Sequence, residues 1–368
     1  MGPATLKYLK IVLINISVFL LLLTPVELVW RLYLHQNIKH SLNILADTHI
    51  SYDVSSLYEV ADRRIWYTRD KNGFRGSYGD MSDIEMIVMG GSTTDQRYID
   101  DSETWDHVLR EKLSAAYRRD VVIVNAGVDG QSTYGHLKDF DLWFSQLHDI
   151  RPRYILFYVG INDFYADPGY SYDDLNYSTS SRLQEFFRGS PVYHLYRVTA
   201  GLVRAKNARL AYGGAKIVKA DSLTQTTLPL ISDPLLYKEL MARRLDGYMK
   251  RLTLLAARTR QLGAEPVFVT QRFYSYWKEK KGQIVGIAAA SLYDGVQYNG
   301  VDMYYMNRLL NQTTMSTCRA IEGVCLDLAS DVEFGPEDFY DLFHNTPAGT
   351  RKIGVYLHEK LRGSFNAH

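Results

Sequence analysis

The sequence has no excess of either charge. Its 368 residues include 42 Lys+Arg and 41 Asp+Glu, and charged residues make up only 23% of the chain, against 46% hydrophobic residues. A disordered chain would carry fewer apolar residues, and a broad nucleic-acid-binding surface would need a clear excess of Lys and Arg. The composition therefore predicts a globular protein without a nucleic-acid partner. It gives no indication of the oligomeric state.

Nucleotide-binding signatures are missing as well. The glycine-rich stretch Gly90-Gly91-Ser92 lacks the Lys of a phosphate-binding P-loop and the third glycine of a dinucleotide-binding fingerprint. We find no internal repeat and no low-complexity tract, and we expect neither a cofactor nor a metal ion. The length suits one catalytic domain with extensions or insertions.

Cysteine is scarce, with only Cys318 and Cys325, which lie in the stretch CRAIEGVC. A helix end followed by a strand would bring two residues at this spacing within disulfide reach. Two buried free thiols are the alternative. We predict the disulfide, which would place the domain outside the cytoplasm, where thiols are oxidised.

Polar residues are nearly absent from residues 11–23, and the apolar character continues to Trp30. A membrane span needs roughly 20 mostly apolar residues, so residues 1–34 are predicted to be an anchor that enters the membrane through residues 11–30. A cleaved signal peptide is the alternative, but no small-x-small cleavage pattern follows. Basic residues flank both ends and do not set the orientation. With the predicted disulfide, we expect a single-pass plasma-membrane protein with a periplasmic catalytic domain.

Short apolar runs alternate with helical patterns after residue 83. The runs cover residues 84–89, 121–124, 154–159, 266–270 and 324–328, and they are separated by amphipathic segments, among them 131–147. Continuous apolar strands that alternate with helices indicate a parallel sheet covered on both faces. The expected fold is α/β, a three-layer α/β/α flavodoxin-like sandwich with a five-stranded parallel sheet, plus the N-terminal transmembrane helix.

Two regions interrupt this simple pattern. Residues 35–82 are predicted to form a juxtamembrane extension with a hairpin, because Asn72-Gly73 tolerates the positive φ angles of a tight turn. In the catalytic domain, residues 83–368, the alternation lapses at about 165–234, which we interpret as an insertion. The sequence does not distinguish three roles for this insertion: a cap over the site, a surface near the membrane, or a surface excursion without a function of its own.

Chemically informative residues follow the predicted strands. Ser92 lies in GGSTT after the first strand, Gly130 ends NAGVDG after the second, and Asn162 lies in GIND after the third. Asp341 and His344 lie in DLFH near the C-terminus. Each has an ordinary alternative role as a helix cap, a turn residue or a surface side chain. Their common place at strand ends, where parallel sheets bind ligands, gives them more weight together than singly.

Ser92, Gly130, Asn162 and His344, in this order on a parallel α/β pattern, resemble the SGNH hydrolases, also called the GDSL-type esterases and lipases. Members of this family carry the nucleophile in a GDS or GGS block, a glycine five residues after an Asn, a GxND block and a DxxH block. The NGFRG stretch at residues 72–76 is similar to an element of membrane-anchored bacterial members. The resemblance covers about residues 71–361, apart from the predicted insertion.

The resemblance implies a catalytic triad of Ser92, His344 and Asp341 and an oxyanion hole formed by Ser92, Gly130 and Asn162. At the first block, Gly91 replaces the Asp of GDS and leaves the nucleophile in place.

The expected activity is that of a serine esterase that removes an O-acyl group, chiefly O-acetyl, from an envelope glycan through an acyl-enzyme on Ser92. An O-acyltransferase with the same triad, a lysophospholipase or other lipid esterase, and, least favoured, a glycan-binding scaffold without turnover remain alternatives.

Overall fold

The computed structural model of the protein describes residues 3–36, 42, 44–59, 64–148, 150–165, 190, 223–278 and 282–365. Most of the predicted insertion at 165–234 lies outside the described residues. The chain divides into two units, with the N-terminal helix and Ser190 in the first and the other described residues, those of the α/β fold, in the second.

The strands, in chain order, are β1 Thr48–Asp53, β2 Arg64–Arg69, β3 Ile84–Gly90, β4 Val122–Asn125, β5 Tyr154–Tyr158, β6 Gln225–Thr226, β7 Glu265–Val269, β8 Tyr276–Lys278, β9 Ile284–Ile287, β10 Ser291–Tyr293, β11 Val296–Tyr298 and β12 Val324–Leu326. The helices are α1 Pro3–Gln36, α2 Ser92–Asp95, α3 Trp105–Tyr117, α4 Thr133–Lys138, α5 Ile161–Tyr165, α6 Pro234–Gln261, α7 Gly300–Ala320, α8 Leu328–Asp331 and α9 Pro347–Leu361.

Helix α1 contains an apolar segment, Lys10–Trp30, with a mean hydropathy of 2.3 and none of its residues buried within the protein. Its length and composition fit a membrane span, and a signal sequence would fit them equally. The apolar N-terminal helix is thus present, while the anchor and its orientation stay predictions.

Five parallel strands form the central sheet, in the order β12-β7-β5-β3-β4. Numbered along the chain, this order is that of flavodoxin, in which the second strand lies outside the first. All residues of β4 and β5 are buried, as expected for strands covered on both faces. The predicted α/β/α fold is confirmed by this order.

Helices cover the two faces of this sheet. Helices α3 and α9 contact each other, and their side chains join one apolar cluster with alternate strand residues such as Val88 and Leu156. On the opposite face, Phe157 of β5 packs against Phe140 and stacks on Phe268 of β7. The core therefore lies in two layers, one on each side of the sheet.

The predicted hairpin is only partly correct. The chain does turn tightly, because the Gly73 N–H donates to the Asp70 carbonyl at 3.0 Å and Gly73 has a φ of +93°. The second arm, however, pairs with β2 through one bridge only, between Arg75 and Arg69. Arg75 also forms a bridge with Asn125 at the end of β4. The main partner of β2 is the preceding strand β1.

Two other segments differ from the sequence expectation. The helix expected over residues 131–147 is broken into α4, a π-helical turn at Asp139–Trp143 and a 3-10 turn at Phe144–Gln146. Strands that the sequence did not indicate also occur: β8 and β9, after β7, pair with β6 from the end of the predicted insertion in a small sheet of order β6-β9-β8, and β10 and β11 form a hairpin. Strands of two to four residues carry too little pattern to be recognised in the sequence.

The two cysteines lie where α7 ends and β12 begins. Their Sγ atoms are 1.98 Å apart and their Cα atoms 5.8 Å apart, so the structure contains the Cys318–Cys325 disulfide. The redox compartment that it implies remains a prediction.

Candidate active site

Ser92, His344 and Asp341 form a continuous hydrogen-bonded chain. Nε2 of His344 lies 2.8 Å from Oγ of Ser92, and Nδ1 of His344 lies 2.7 Å from Oδ2 of Asp341. Ser92 directly follows the end of β3, whereas the other two lie 252 and 249 positions further along the chain. The fold thus brings together a hydroxyl, an imidazole and a carboxylate in the order that nucleophilic catalysis uses.

The loop of residues 341–344 is organised by its own carboxylate. Oδ1 of Asp341 accepts hydrogen bonds from the backbone N–H groups of Phe343 and His344 at 2.8 and 2.7 Å. The Tyr340 N–H donates to the His344 carbonyl at 3.0 Å, and the Tyr340 ring stacks on the imidazole. These contacts orient the imidazole toward Ser92 and leave it 24% exposed.

The electrostatics of this loop favour a protonated imidazole. Burial by itself would lower the pKa of His344, but the hydrogen bond and the charge of Asp341, with the charges of Asp129 and Asp95, outweigh it and raise the pKa. A raised pKa makes His344 a stronger base when it is neutral, and it moves the pH at which it becomes neutral upward.

The backbone before Ser92 has no room for a side chain. A Cβ on Gly90 would lie 2.5 Å from the Tyr158 carbonyl oxygen, and a Cβ on Gly91 would lie 1.9 Å from Nδ2 of Asn162. The Asp of the GDS pattern would therefore collide with Asn162 in this arrangement. An Asp at this position would require the Asn162 amide to move.

Asn162 and the chain around Gly130 meet next to Gly91. Nδ2 of Asn162 donates to the Gln131 carbonyl at 2.7 Å, and the same oxygen would lie 3.0 Å from a Cβ on Gly91. Gly130 itself has a φ of +76° with no atom within 4 Å of a Cβ, so its backbone conformation rather than space favours glycine. Three strand-end loops thus converge next to Ser92.

A buried ion pair beneath this loop was not foreseen from the sequence. Nη2 of Arg69 lies 2.7 Å from Oδ1 of Asp95, the last residue of α2, which Ser92 begins. Both side chains are almost fully buried, and the Tyr67 hydroxyl donates to the same carboxylate oxygen at 2.7 Å. Burial would raise the pKa of Asp95, but the charges of Arg69, Arg97 and Arg75 lower it. The carboxylate stays ionised.

Arg75, from the NGFRG stretch, supports the same loop from the other side. Its guanidinium donates to the carbonyls of Asp95, Gln96 and Ile99. The guanidinium carbon also lies 4.8 Å from the centroid of the Tyr67 ring. The family-like NGFRG stretch was the only sequence signal for this role. It showed that the segment resembles a family element, not what Arg75 contacts.

Gln271 links two of the converging loops. Its Nε2 donates to Oγ1 of Thr93 at 2.9 Å and to the Tyr158 carbonyl at 3.0 Å, and its Oε1 accepts from the Ile161 N–H at 2.7 Å. Thr93 and Ile161 are the neighbours of Ser92 and Asn162 in the chain. No motif singled out Gln271, although it follows β7 at the same edge of the sheet.

Asp163, the residue after Asn162, ties the Asn162 loop to two helices. It accepts hydrogen bonds from the backbone N–H and the hydroxyl of Thr133, and it lies 3.2 Å from the Arg251 guanidinium. All of these side chains are buried. The Asp of the GIND block therefore holds the Asn162 loop against α4 and α6.

Among the residues that the structure describes, no group of three or more His, Cys, Asp or Glu side chains is arranged to hold a metal ion.

Comparison with known proteins gives a family match. A profile of the GDSL-like lipase/acylhydrolase family matches residues 88–284, which is more than half of the chain and includes Ser92, Gly130 and Asn162. No significant match is found among curated proteins.

Three solved structures illustrate the structural similarity. A psychrotrophic esterase EstA from Pseudoalteromonas sp. is 12% identical, with 77% of this chain and 100% of that chain covered and a TM-score of 0.40. TesA is 13% identical, with coverages of 76% and 98% and a TM-score of 0.40. The acetylxylan esterase Axe2 from Geobacillus stearothermophilus is 11% identical, with coverages of 75% and 93% and a TM-score of 0.41. At these TM-scores the superpositions do not decide the fold, which follows from the sheet order described above.

Proposed function

The chain belongs to the GDSL-like lipase/acylhydrolase family and is a serine ester hydrolase, and we propose that Ser92, His344 and Asp341 are its catalytic triad. The observation that carries the proposal is the chain of two hydrogen bonds, 2.8 Å from Ser92 to His344 and 2.7 Å from His344 to Asp341. A helix-capping serine and an unrelated surface histidine would have no reason to meet in this way.

In the proposed mechanism, Oγ of Ser92 attacks the ester carbonyl while Nε2 of His344 takes its proton. Asp341 holds the Nδ1–H of the imidazole and stabilises the imidazolium that forms. His344 then gives the proton to the leaving alcohol, which leaves an acyl group on Ser92. A water molecule, activated by His344, releases the acid and restores the enzyme.

The negative charge on the former carbonyl oxygen needs hydrogen-bond donors. We assign this role to the backbone N–H groups of Ser92 and Gly130 and to Nδ2 of Asn162, each worth about 3 kcal/mol in the transition state. A primary amide has two N–H groups, and the Gln131 carbonyl takes one of those of Asn162. The second is the donor that we assign to the oxyanion.

The proposed substrate is an O-acyl ester, chiefly O-acetyl, on an envelope glycan. Tyr165 supports this choice, because its ring is 48% exposed and lies edge-on to Phe343, the neighbour of His344, with 5.8 Å between centroids. An exposed aromatic face beside a nucleophile suits the apolar face of a sugar ring. The N-terminal apolar helix and the disulfide support a single-pass plasma-membrane protein with a periplasmic catalytic domain.

Labelling with a fluorescent fluorophosphonate tests the enzymatic proposal. The full chain in detergent should be labelled, Ser92→Ala should not be, and Ser102→Ala, a change at an exposed loop serine, should be labelled like the wild type. A folded wild-type protein that resists labelling would refute the triad and favour a glycan-binding scaffold.

A lipid ester is the second candidate substrate, and the apolar segment Lys10–Trp30 favours it because it would hold the enzyme at a membrane. Turnover of lysophospholipid micelles should be compared with that of acetylated oligosaccharides at equal ester concentration. Faster lysophospholipid turnover would displace the glycan proposal.

The same triad would also serve an O-acyltransferase if an alcohol replaced water in the second step. Release of acetate from an acetylated donor, with and without a glycan acceptor, separates the two reactions. An acetylated acceptor that forms at the expense of free acetate would displace simple hydrolysis.

A further inference from the structure

A cavity reaches the same edge of the sheet as Ser92. It has a volume of about 780 Å³ and lies between α7 and the chain that follows β12, with Arg272 and Asp327 in its lining. Arg272 comes three residues after the end of β7, and Asp327 directly follows β12. Since both strands end at the edge where Ser92 follows β3, the cavity and the nucleophile share one side of the sheet.

The distance between the two sites follows from the strand order. Strands β7 and β3 are separated by β5 alone, and neighbouring strands lie about 4.8 Å apart, so the strand ends that precede Arg272 and Ser92 lie roughly 10 Å apart. The cavity and the Ser92 loop are also linked through Gln271, the neighbour of Arg272 in the chain. The Gln271 side chain donates a hydrogen bond to Thr93, the residue after Ser92. A ligand that extends from the ester along this edge would reach the cavity.

Three arginines line this cavity, namely Arg272, Arg308 and Arg319. Arg308 and Arg319 are eleven residues apart on α7, which at 3.6 residues per turn puts them on one face of the helix. Among the residues that the structure describes, none of the three lies within 4.0 Å of a carboxylate oxygen. Nε of Arg272 is buried without a hydrogen-bond partner. An unpaired, buried guanidinium N–H is costly unless a ligand satisfies it.

The remaining lining is partly apolar, with Met315, Ala329 and Val332, and otherwise polar and aromatic. Two carboxylates, Asp327 and Glu333, also face the cavity, but Asp327 already accepts a hydrogen bond from Thr270 at 2.8 Å and Glu333 is exposed. The rings of Tyr276 and Tyr304 meet edge to face at 5.3 Å. Hydroxyl-bearing rings beside guanidinium groups are suited to a sugar that carries a negative charge.

We propose that this cavity is a subsite for an acidic carbohydrate, whose anionic groups, carboxylates or phosphates, are bound by Arg272, Arg308 and Arg319 along its length. This proposal deepens the proposed function, and it rests on that function because it takes the ligand of the cavity to be part of the ester substrate. It makes the substrate an acidic glycan. The guanidinium groups would position the chain so that a nearby acyl ester reaches Ser92.

Calorimetric binding to the full chain in detergent tests the subsite without any turnover. The probes are trigalacturonate, maltotriose as its neutral counterpart of equal length, and glucose 6-phosphate, none of which carries an ester of a carboxylic acid. The test variant is Arg308→Gln/Arg319→Gln, both exposed positions, and the matched control is Arg362→Gln, an exposed arginine outside the cavity. Thermal unfolding verifies that all variants are folded.

We expect one of the anionic probes to bind at least roughly tenfold more tightly than maltotriose, and this preference to fall roughly tenfold in the double variant. Binding should weaken as salt is added. Preference for trigalacturonate identifies a carboxylate as the source of the charge, and preference for glucose 6-phosphate identifies a phosphate. Equal binding of maltotriose, or unchanged affinity in Arg308→Gln/Arg319→Gln, would overturn the proposal.

Fluorophosphonate labelling is measured on the same preparations and reports only on Ser92. A protein that is labelled but does not discriminate between charged and neutral probes retains its proposed function and loses the subsite. A protein that binds the anionic probe but is not labelled loses the proposed triad and retains the subsite.

Discussion

Removal of the buried charge beneath the nucleophile should destabilise the whole domain. In Asp95→Asn the amide oxygen still accepts hydrogen bonds from Tyr67 and Arg69, but Arg69, which is 2% exposed, loses the negative charge of the carboxylate that it contacts. Breaking a buried ion pair by removing one partner costs about 3 to 5 kcal/mol. Because Arg69 keeps hydrogen bonds to Tyr67, Gly73 and Gly127, we expect the lower end of this range, about 3 kcal/mol.

The surface offers a matched control for this substitution. Glu85 pairs with Arg119 at 2.5 and 2.7 Å, but the two side chains are 23% and 39% exposed. Water screens such a pair, so Glu85→Gln should cost no more than about 1 kcal/mol. The two substitutions make the same chemical change, and only burial distinguishes them.

Urea unfolding of the full chain, followed by tryptophan fluorescence, measures the difference. The chain has five tryptophans, and one of them, Trp105, is fully buried and donates its indole N–H to the Thr93 carbonyl at 3.1 Å, so the signal includes a contribution from the Ser92 loop. A double-mutant cycle with Arg69→Met should give a coupling of about 2 kcal/mol or more. The reasoning fails if Asp95→Asn and Glu85→Gln cost the same, or if the cycle is additive.

The pH dependence of this stability follows from the sign of the shift. The pKa of Asp95 is lower in the folded protein, so its contribution is fully present above the ordinary carboxyl pKa of about 4 and is lost as pH falls through the folded value. Asp95→Asn should therefore flatten the acid limb of wild-type stability. Equal acid limbs in the two proteins would contradict the assigned ion pair.

The remaining predictions concern catalysis. Asp341→Asn should lower kcat about 10⁴-fold, because the imidazole loses its orienting anion; a loss under tenfold in ester-hydrolysis kinetics would contradict the role of Asp341. In the proposed mechanism His344 must be neutral to act as base, and its pKa is raised, so kcat/KM should fall as the pH drops through a value above 6.5. Asp129→Asn should move this fall in kcat/KM to lower pH, because the charge of Asp129 helps to raise the pKa of His344. An unchanged pH profile would show that Asp129 does not act on His344. Gly91→Asp, which restores the GDS pattern, should displace the Asn162 amide and lower kcat as much as Asn162→Ala does, about 10² to 10³-fold. Wild-type turnover by Gly91→Asp would mean that the loop relaxes around the new side chain.

The sequence by itself determined the fold class and the order of the site motifs. Apolar runs such as residues 154–159 form buried parallel strands because both faces of the sheet are covered, and this requirement is visible as an uninterrupted hydrophobic pattern. The loops after these strands meet at one edge of the sheet, so Ser92 and Asn162 were expected to lie near each other. These inferences rest on local periodicity and on topology, which a linear pattern encodes.

Only the tertiary structure decided which charged groups are buried and what they contact. Arg69 and Asp95 are 26 residues apart, and nothing in their local pattern distinguishes them from the exposed pair of Glu85 and Arg119. The close approach at Gly91 involves the side chain of Asn162, 71 residues later. Burial, pairing and close approach are properties of atoms that the folded chain brings together, so residue types and spacing do not specify them.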